Sequence, residues 1–133
     1  MQAPVVSVAV GIIEHQGHLL ITKRKAGTHL EGSWEFPGGK QEAGESLEEC
    51  LHREIWEELR VTVSAPIFFA NIRHEYAEKL VDLHFFRCSW MSGIPQAIDC
   101  CEFAWVRVEH LQVDLFPAAD QKILQKLISE GLG

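Results

Sequence analysis

No stretch of this chain is apolar for long enough to cross a bilayer, which takes about 20 consecutive apolar residues. Lysine and arginine nowhere run far enough to track a polyanion, and the net charge is −7 over 133 residues. Polymeric nucleic acid, which binds to basic surface, is therefore not an expected partner. Paired Cys-x-x-Cys motifs are also missing. Cys100 and Cys101 are adjacent and poorly placed to chelate one zinc together, and Cys50 and Cys88 stand apart. Met1-Gln2-Ala3-Pro4 lacks the basic start and apolar stretch of a signal peptide. A reducing, cytoplasmic compartment is the expectation. Repeats, low-complexity segments and interdomain linkers are absent as well.

What is present is a chain that is 47% hydrophobic, which excludes disorder, and long enough for one domain over residues 1–133 with its own core. Its densest stretch is Gly38-Gly39-Lys40-Gln41-Glu42-Ala43-Gly44-Glu45, continuing through Ser46 to Val61. Ser46 with Glu49 three residues later is a capping-box pattern, so a helix is predicted to begin there. Counting about 100° per residue from Glu54, Glu57 falls near −60° and Glu58 near +40°, while Leu47, Cys50, Leu51 and Ile55 fall at roughly 20°, −40°, 60° and 100°. The carboxylates thus continue the apolar face instead of opposing it. Three like charges within about one turn repel, and partial burial adds to the cost. Their place at the helix C-terminus also opposes the helix dipole. A hard divalent cation, which prefers oxygen ligands, would relieve both problems. Cys50, on the apolar face, reads as a core residue.

Around this segment the chain alternates strands and turns. Val5 to Ile13 and Leu19 to Arg24 read as a hairpin about His15-Gln16-Gly17-His18. Lys23, Arg24 and Lys25 form the densest basic cluster; Lys23 and Lys25 read as a solvated strand end, and Arg24 as a cation able to reach a substrate. Trp34 to Gly39 is a short extended segment, since Pro37 disfavours helix at Phe36 and the paired glycines allow close backbone approach. Trp34 and Phe36 read as core. Val61 to Ile72 and Leu80 to Trp90 read as two more strands, and Glu102 to Val108 as a last one. A terminal helix follows Phe116-Pro117-Ala118-Ala119-Asp120, with Ile123, Leu124, Leu127 and Ile128 on one apolar stripe. Asp120 itself reads either as a cap of that helix or as a functional acid. The expected fold class is α/β, a sandwich with a mixed sheet.

The glycine–carboxylate stretch resembles the Nudix box, Gly-x5-Glu-x7-Arg-Glu-apolar-x-Glu-Glu-x-Gly-apolar, at Gly39, Glu45, Arg53, Glu54, Ile55, Glu57, Glu58 and Val61. One position departs: Arg60 stands where the family has glycine. That glycine supplies positive φ just past the helix, so Arg60 is expected to cost about 1 kcal/mol in cap geometry. The resemblance implies an α/β/α sandwich and a catalytic metal site using Mg²⁺, with Mn²⁺ as a substitute. Carried over by position, it implies the Gly39 carbonyl and the Glu54, Glu57 and Glu58 carboxylates as metal donors, with Arg53 orienting and Glu45 supporting. Arg53 is within helical reach of Glu49 and Glu57. Either Glu54 or Glu58 would assist deprotonation of water, with no choice between them.

Further matches lie in Ala9-Val10-Gly11-Ile12-Ile13, Ile21-Thr22-Lys23-Arg24, Trp34 to Lys40 and Phe116 to Asp120, all similar to the MutT subgroup. These enzymes convert nucleoside triphosphates such as 8-oxo-dGTP to monophosphate and pyrophosphate, sanitising the nucleotide pool for DNA replication and repair. The resemblance implies Arg24, Glu35, Tyr76, Lys79 and Asp120 as substrate-binding residues and Asp99 as an additional metal-binding acid. Asp120 replaces an asparagine; an ionised aspartate only accepts hydrogen bonds, which suits an exocyclic amine and keeps CTP, dCTP and 2-hydroxy-dATP open. Hydrolysis of ADP-ribose or of a dinucleoside polyphosphate, and nucleotide binding without turnover, stay open beside them. The expected partner is a small-molecule nucleotide, with no membrane, and the expected state is a monomer or weak dimer.

Overall fold

The computed structural model describes residues 4–28, 30–98, 100 and 102–131. In chain order the elements are β1 (Val5–His15), β2 (His18–Lys23), β3 (Trp34–Glu35), β4 (Gly38–Lys40), α1 (Leu47–Leu59), β5 (Thr62–Val63), β6 (Ile67–Glu75), β7 (Leu80–Ser92), β8 (Glu102–Arg107) and α2 (Ala118–Glu130). Single 3₁₀ turns, Val108–His110 and Val113–Leu115, connect β8 to α2.

The sheet runs β3-β2-β1-β7-β5, with β4 on β1, β6 on β7 and β8 on β2. β1 and β7 pair in parallel from Val5↔Leu80 to Glu14↔Ser89, while the other pairs are antiparallel. This is the expected mixed sheet. Strand alternation sends neighbouring residues to opposite faces. Ala9, Ile13, Leu20, Phe86 and Cys88 join Cys50, Leu51, Ile55 and Leu59 of α1 in one core. Val10, Ile12, Leu19, Ile21 and Phe85 join Ile123, Leu124 and Leu127 of α2 in the other. The result is the expected α/β/α sandwich. α1 lies so close to β1 that a Cβ at Gly11 would stand 3.0 Å from Ile55 Cδ1.

Local details correct several sequence expectations. The strand predicted over Val61 to Ile72 is two strands, because Ser64-Ala65-Pro66 interrupts it and Pro66 has no N–H to give the ladder. β6 then carries a register shift between Phe68 and Ala70. The last strand stops at Arg107, and Val108 opens a 3₁₀ turn instead. Ile128 stays 43% exposed and so lies off the buried stripe of α2. Cys50 and Phe36 are core residues as expected, whereas Trp34 is only half-buried. Lys23, read as a solvated strand end, pairs with Glu102 at 3.3 Å. Among the described residues no helix is long and apolar enough to cross a membrane.

Candidate active site

The helix α1 begins as its sequence dictates. Ser46 Oγ accepts from the Glu49 N–H at 3.1 Å, and Glu49 Oε1 accepts from the Ser46 N–H at 2.9 Å, closing a full capping box. Glu49 is committed to that cap, so it is not the partner of Arg53 that helical spacing suggested. Arg53 instead reaches across to the preceding loop. Its Nε and Nη2 donate to the two oxygens of Glu45 at 2.9 and 2.7 Å, the fork geometry that arginine alone provides. Nη2 also donates to the Lys40 carbonyl, and Nη1 to Glu54 and Glu57 at 2.8 and 3.1 Å. These bonds hold the Glu45 carboxyl down at about 2 and push the Arg53 guanidinium up.

One cation here faces four carboxylates, since Glu42 also lies 3.7 Å from Arg53 Nη1. Glu54 is half-buried, and that desolvation raises its pKa in spite of Arg53 beside it. Gly39 supports the Glu54 carboxylate with bare backbone: an added Cβ would run into it. Glu58 Oε2 accepts from the Gly38 N–H at 3.2 Å. Gly38 in turn lies flat on β1, where a Cβ would meet the Ala9 carbonyl oxygen. The surplus of hard oxygen donors, with Glu54 and Glu58 half-buried and Glu57 exposed, fits a hard divalent cation. Among the described residues, however, no three His, Cys, Asp or Glu side chains converge into a ready-made cage. The Gly39 carbonyl accepts a weak hydrogen bond from Cys50 Sγ at 3.4 Å.

From this acidic edge a cavity of about 260 Å³ opens between β1 and α2. Gly38, Gly39, Lys40 and Glu58 line it, and so do Arg24, Glu35, Tyr76 and Asp120. The rest of the lining is apolar, with Val8, Val10 and Leu83 from the sheet and Leu30, Phe36 and Pro117 from the connections. Arg24 Nη1 contacts both Glu35 oxygens, at 3.2 and 3.1 Å. Burial still raises the Glu35 pKa, with Arg24 opposing it. Asp120 stands in the first turn of α2, but the N-cap is Pro117, and no side chain caps the helix. The reading of Asp120 as a cap is therefore corrected. Its carboxyl faces the cavity, where burial and the charge of Glu35 push it up to about 7 against the pull of Arg24. Tyr76, its ring edge-on to His74 at 4.6 Å, has its hydroxyl pKa raised by burial and by Asp120.

Of the residues singled out by sequence, the cavity therefore brings together Gly39, Glu58, Arg24, Glu35, Tyr76 and Asp120. Arg53, Glu54 and Glu57 stand beside it in the ion-pair network. Lys79 does not line the cavity. It lines an adjoining open groove with Arg24, Lys40 and Tyr76, and its carbonyl accepts from the Tyr76 N–H at 2.9 Å. Asp99 lies outside the described residues. Lys40, which the sequence pattern did not single out, lines both the cavity and the groove. Its place directly after the paired glycines was the available signal.

Comparison with known proteins shows the family and the fold. The NUDIX domain family model matches residues 8–126. An 8-oxo-dGTP diphosphatase of Haemophilus influenzae is 32% identical over 131 residues, covering 98% of this chain and 96% of that protein. A CTP pyrophosphohydrolase of Escherichia coli is 33% identical over 114 residues, covering 85% and 84%. In fold, the crystal structure of a MutT protein from Methanosarcina mazei superposes with a TM-score of 0.82 at 24% identity, covering 100% of this chain and 99% of the other.

Proposed function

The chain belongs to the Nudix family as a MutT-like hydrolase of phosphoric anhydride bonds, and on that premise we propose that it converts nucleoside triphosphates, oxidised purine ones such as 8-oxo-dGTP among them, to monophosphate and pyrophosphate. The observation that carries the reading is one cavity lined by Glu58 and Gly39 together with Arg24, Glu35, Tyr76 and Asp120. A lining that joins polar side chains, apolar walls and the acidic edge of a cation site suits a molecule with a flat hydrogen-bonding part and a strongly anionic part.

In this reading Glu54, Glu57 and Glu58, with the Gly39 carbonyl, hold Mg²⁺, or Mn²⁺ in its place, and Asp99 adds a further acid. A cation held there would supply positive charge against phosphate oxygens and make water more acidic. Arg53 fixes the direction of the Glu54 and Glu57 carboxylates, as outer groups around metal sites do. Glu45 anchors Arg53 in turn. Lys40 and Lys79 supply positive charge on the path from the cavity to the groove, where the phosphates leave. Glu54 or Glu58 accepts the proton of the attacking water. Val8, Val10, Phe36 and Leu83 exclude water from the base, and Arg24, Glu35, Tyr76 and Asp120 read its edge. The domain spans residues 1–133, acts in the cytoplasm as a monomer or weak dimer, and serves nucleotide-pool sanitation.

A second substrate reading rests on Asp120. With its pKa near 7 the carboxyl is present in both forms at neutral pH. Protonated, it donates to a purine carbonyl; ionised, it accepts from an exocyclic amine such as that of cytosine. The deciding experiment incubates the protein with Mg²⁺ and 8-oxo-dGTP, dGTP, CTP, dCTP, 2-hydroxy-dATP and ADP-ribose in parallel, and identifies products by chromatography. Monophosphate plus pyrophosphate is expected, with turnover lost in Glu54→Gln and Glu58→Gln while the circular dichroism spectrum is kept. Full turnover in both variants would remove the proposed site.

A further inference from the structure

The position at which this chain departs from the box pattern is tied to a segment far along the sequence. Arg60 ends α1 with φ 59° and ψ 37°, in the left-handed region. Its N–H and its Nη1 both donate to the Trp56 carbonyl at 2.9 Å, and the guanidinium lies over the Trp56 ring at 5.6 Å. A helix leaves its last four carbonyls without intrahelical partners. Two of those in α1 are taken by the segment after β7: the Gln96 N–H donates to the Leu59 carbonyl at 2.9 Å, and the Ile98 N–H, shared with the Gln96 carbonyl at 2.9 Å, to the Glu58 carbonyl at 3.1 Å. The segment enters through Gly93, which has φ 96° and sits so close that a Cβ would stand 2.5 Å from the Arg60 carbonyl oxygen and 3.1 Å from Val61 Cα. Trp90 Nε1 donates to the Gly93 carbonyl at 2.9 Å and fixes that entry.

We propose that residues 93–98 act as a positioning clamp on the last turn of α1, with Gly93 as its fulcrum, and that the clamp sets the direction of the Glu58 carboxylate. A backbone bond to the Glu58 carbonyl fixes the rotation of that residue about the helix axis. Rotation decides whether its side chain meets Gly38 and the cavity or turns away from them. Arg60 and Gly93 are therefore one unit. The arginine's left-handed backbone directs its carbonyl toward the segment, and only a residue without Cβ can receive it there. The inference rests on the reading of Glu58 as a metal-holding group, so its test separates the two.

Mn²⁺ binding to the nucleotide-free protein, followed by the loss of free Mn²⁺ electron paramagnetic resonance signal, reads the site without turnover. Glu58→Gln tests the site: unchanged Mn²⁺ affinity in that variant overturns the metal reading itself. Gly93→Ala tests the clamp and is expected to weaken Mn²⁺ on the order of tenfold, the scale typical of groups that orient ligands. Amide hydrogen exchange at Gln96 and Ile98 should quicken in parallel. Ile94→Ala, whose side chain is 83% exposed on the same segment, should leave both readings as in the wild type. If Gly93→Ala does not fold, the double variant with Arg60→Gly should fold and recover part of the affinity, because glycine lets that carbonyl turn away. A folded Gly93→Ala, alone or with Arg60→Gly, that binds Mn²⁺ within about twofold of its parent overturns the clamp while Glu58→Gln still weakens binding.

Discussion

Arg24 and Glu35 hold each other inside the cavity, Nη1 of the one lying 3.2 and 3.1 Å from both oxygens of the other. With 31% and 29% of their side chains exposed, neither ion bears the full penalty of a dry interior. The pair is nonetheless unequal, because burial raises the Glu35 pKa and only Arg24 opposes it.

Removing the arginine should therefore cost more than removing the acid. Arg24→Gln leaves a carboxylate in the cavity without its cation and is expected to lose about 1–2 kcal/mol at pH 7. Glu35→Gln removes the penalised charge and leaves an arginine that can turn to water, so a smaller loss is expected. Urea titrations of the two variants check the order, and the reverse order would contradict the assignment of burial to Glu35.

Asp120 predicts a pH dependence with a definite sign. Its folded pKa is about 7 against an ordinary 3.8, so between those values the native state holds a proton that the unfolded chain has lost. That contribution to stability is fully present below about pH 4 and disappears as pH rises through 7. Glu45 acts oppositely: its folded pKa of about 2 gives stability above pH 4.5 that is lost toward pH 2. Thermal melts of wild type and Asp120→Asn from pH 4 to 8 should differ in slope, the variant lacking the decline across this window. Parallel curves would show that Asp120 titrates like a solvated acid.

The network around Arg53 depends on fork geometry more than on charge. Lysine keeps the charge but cannot serve both oxygens of Glu45, Glu54, Glu57 and the Lys40 carbonyl together. Arg53→Lys is expected to lower stability by about 1–3 kcal/mol and to reduce turnover at saturating nucleotide more than it alters KM. A lysine variant with wild-type kinetics at every Mg²⁺ concentration would leave Arg53 with a purely structural part.

Arg60 combines a strained backbone with a helpful side chain. Alanine keeps the left-handed φ and loses the guanidinium at the helix C-terminus, so Arg60→Ala should be destabilised by about 0.5–1 kcal/mol. Arg60→Gly relieves the strain while losing the same contacts, and should lie within about 0.5 kcal/mol of wild type. Chemical denaturation ranks the three, and alanine equal to glycine would show that φ is not the controlling quantity.

Local signals in the sequence are sufficient where local physics decides the outcome. The capping box of Ser46 and Glu49 follows from a few neighbouring residues, whereas the left-handed backbone at Arg60 is signalled only by the glycine that the resembled family has there. Spacing along one helix names Glu57 as a partner of Arg53 but also Glu49, because a helical wheel knows nothing of the competing cap. Glu45 does not emerge as the main partner, since the loop between Gly39 and Ser46 bends back by its own turn geometry. The meeting of Arg24, Glu35, Tyr76 and Asp120 has no periodicity behind it, and only resemblance to a family places them together in advance. The break at Pro66 is visible in the sequence and is outweighed by the apolar run around it.

The parallel pairing at the centre of the sheet carries a kinetic consequence. Val5 finds Leu80, and Glu14 finds Ser89, only after most of the intervening chain has been closed into a loop. Contacts so distant in sequence slow folding and leave an apolar β1 waiting during synthesis. Val8 and Val10 of β1 and Leu83 of β7 are also walls of the cavity. The pocket thus has no partial form on a nascent chain: competence to bind a nucleotide should appear with the β1–β7 pairing, late and in one step.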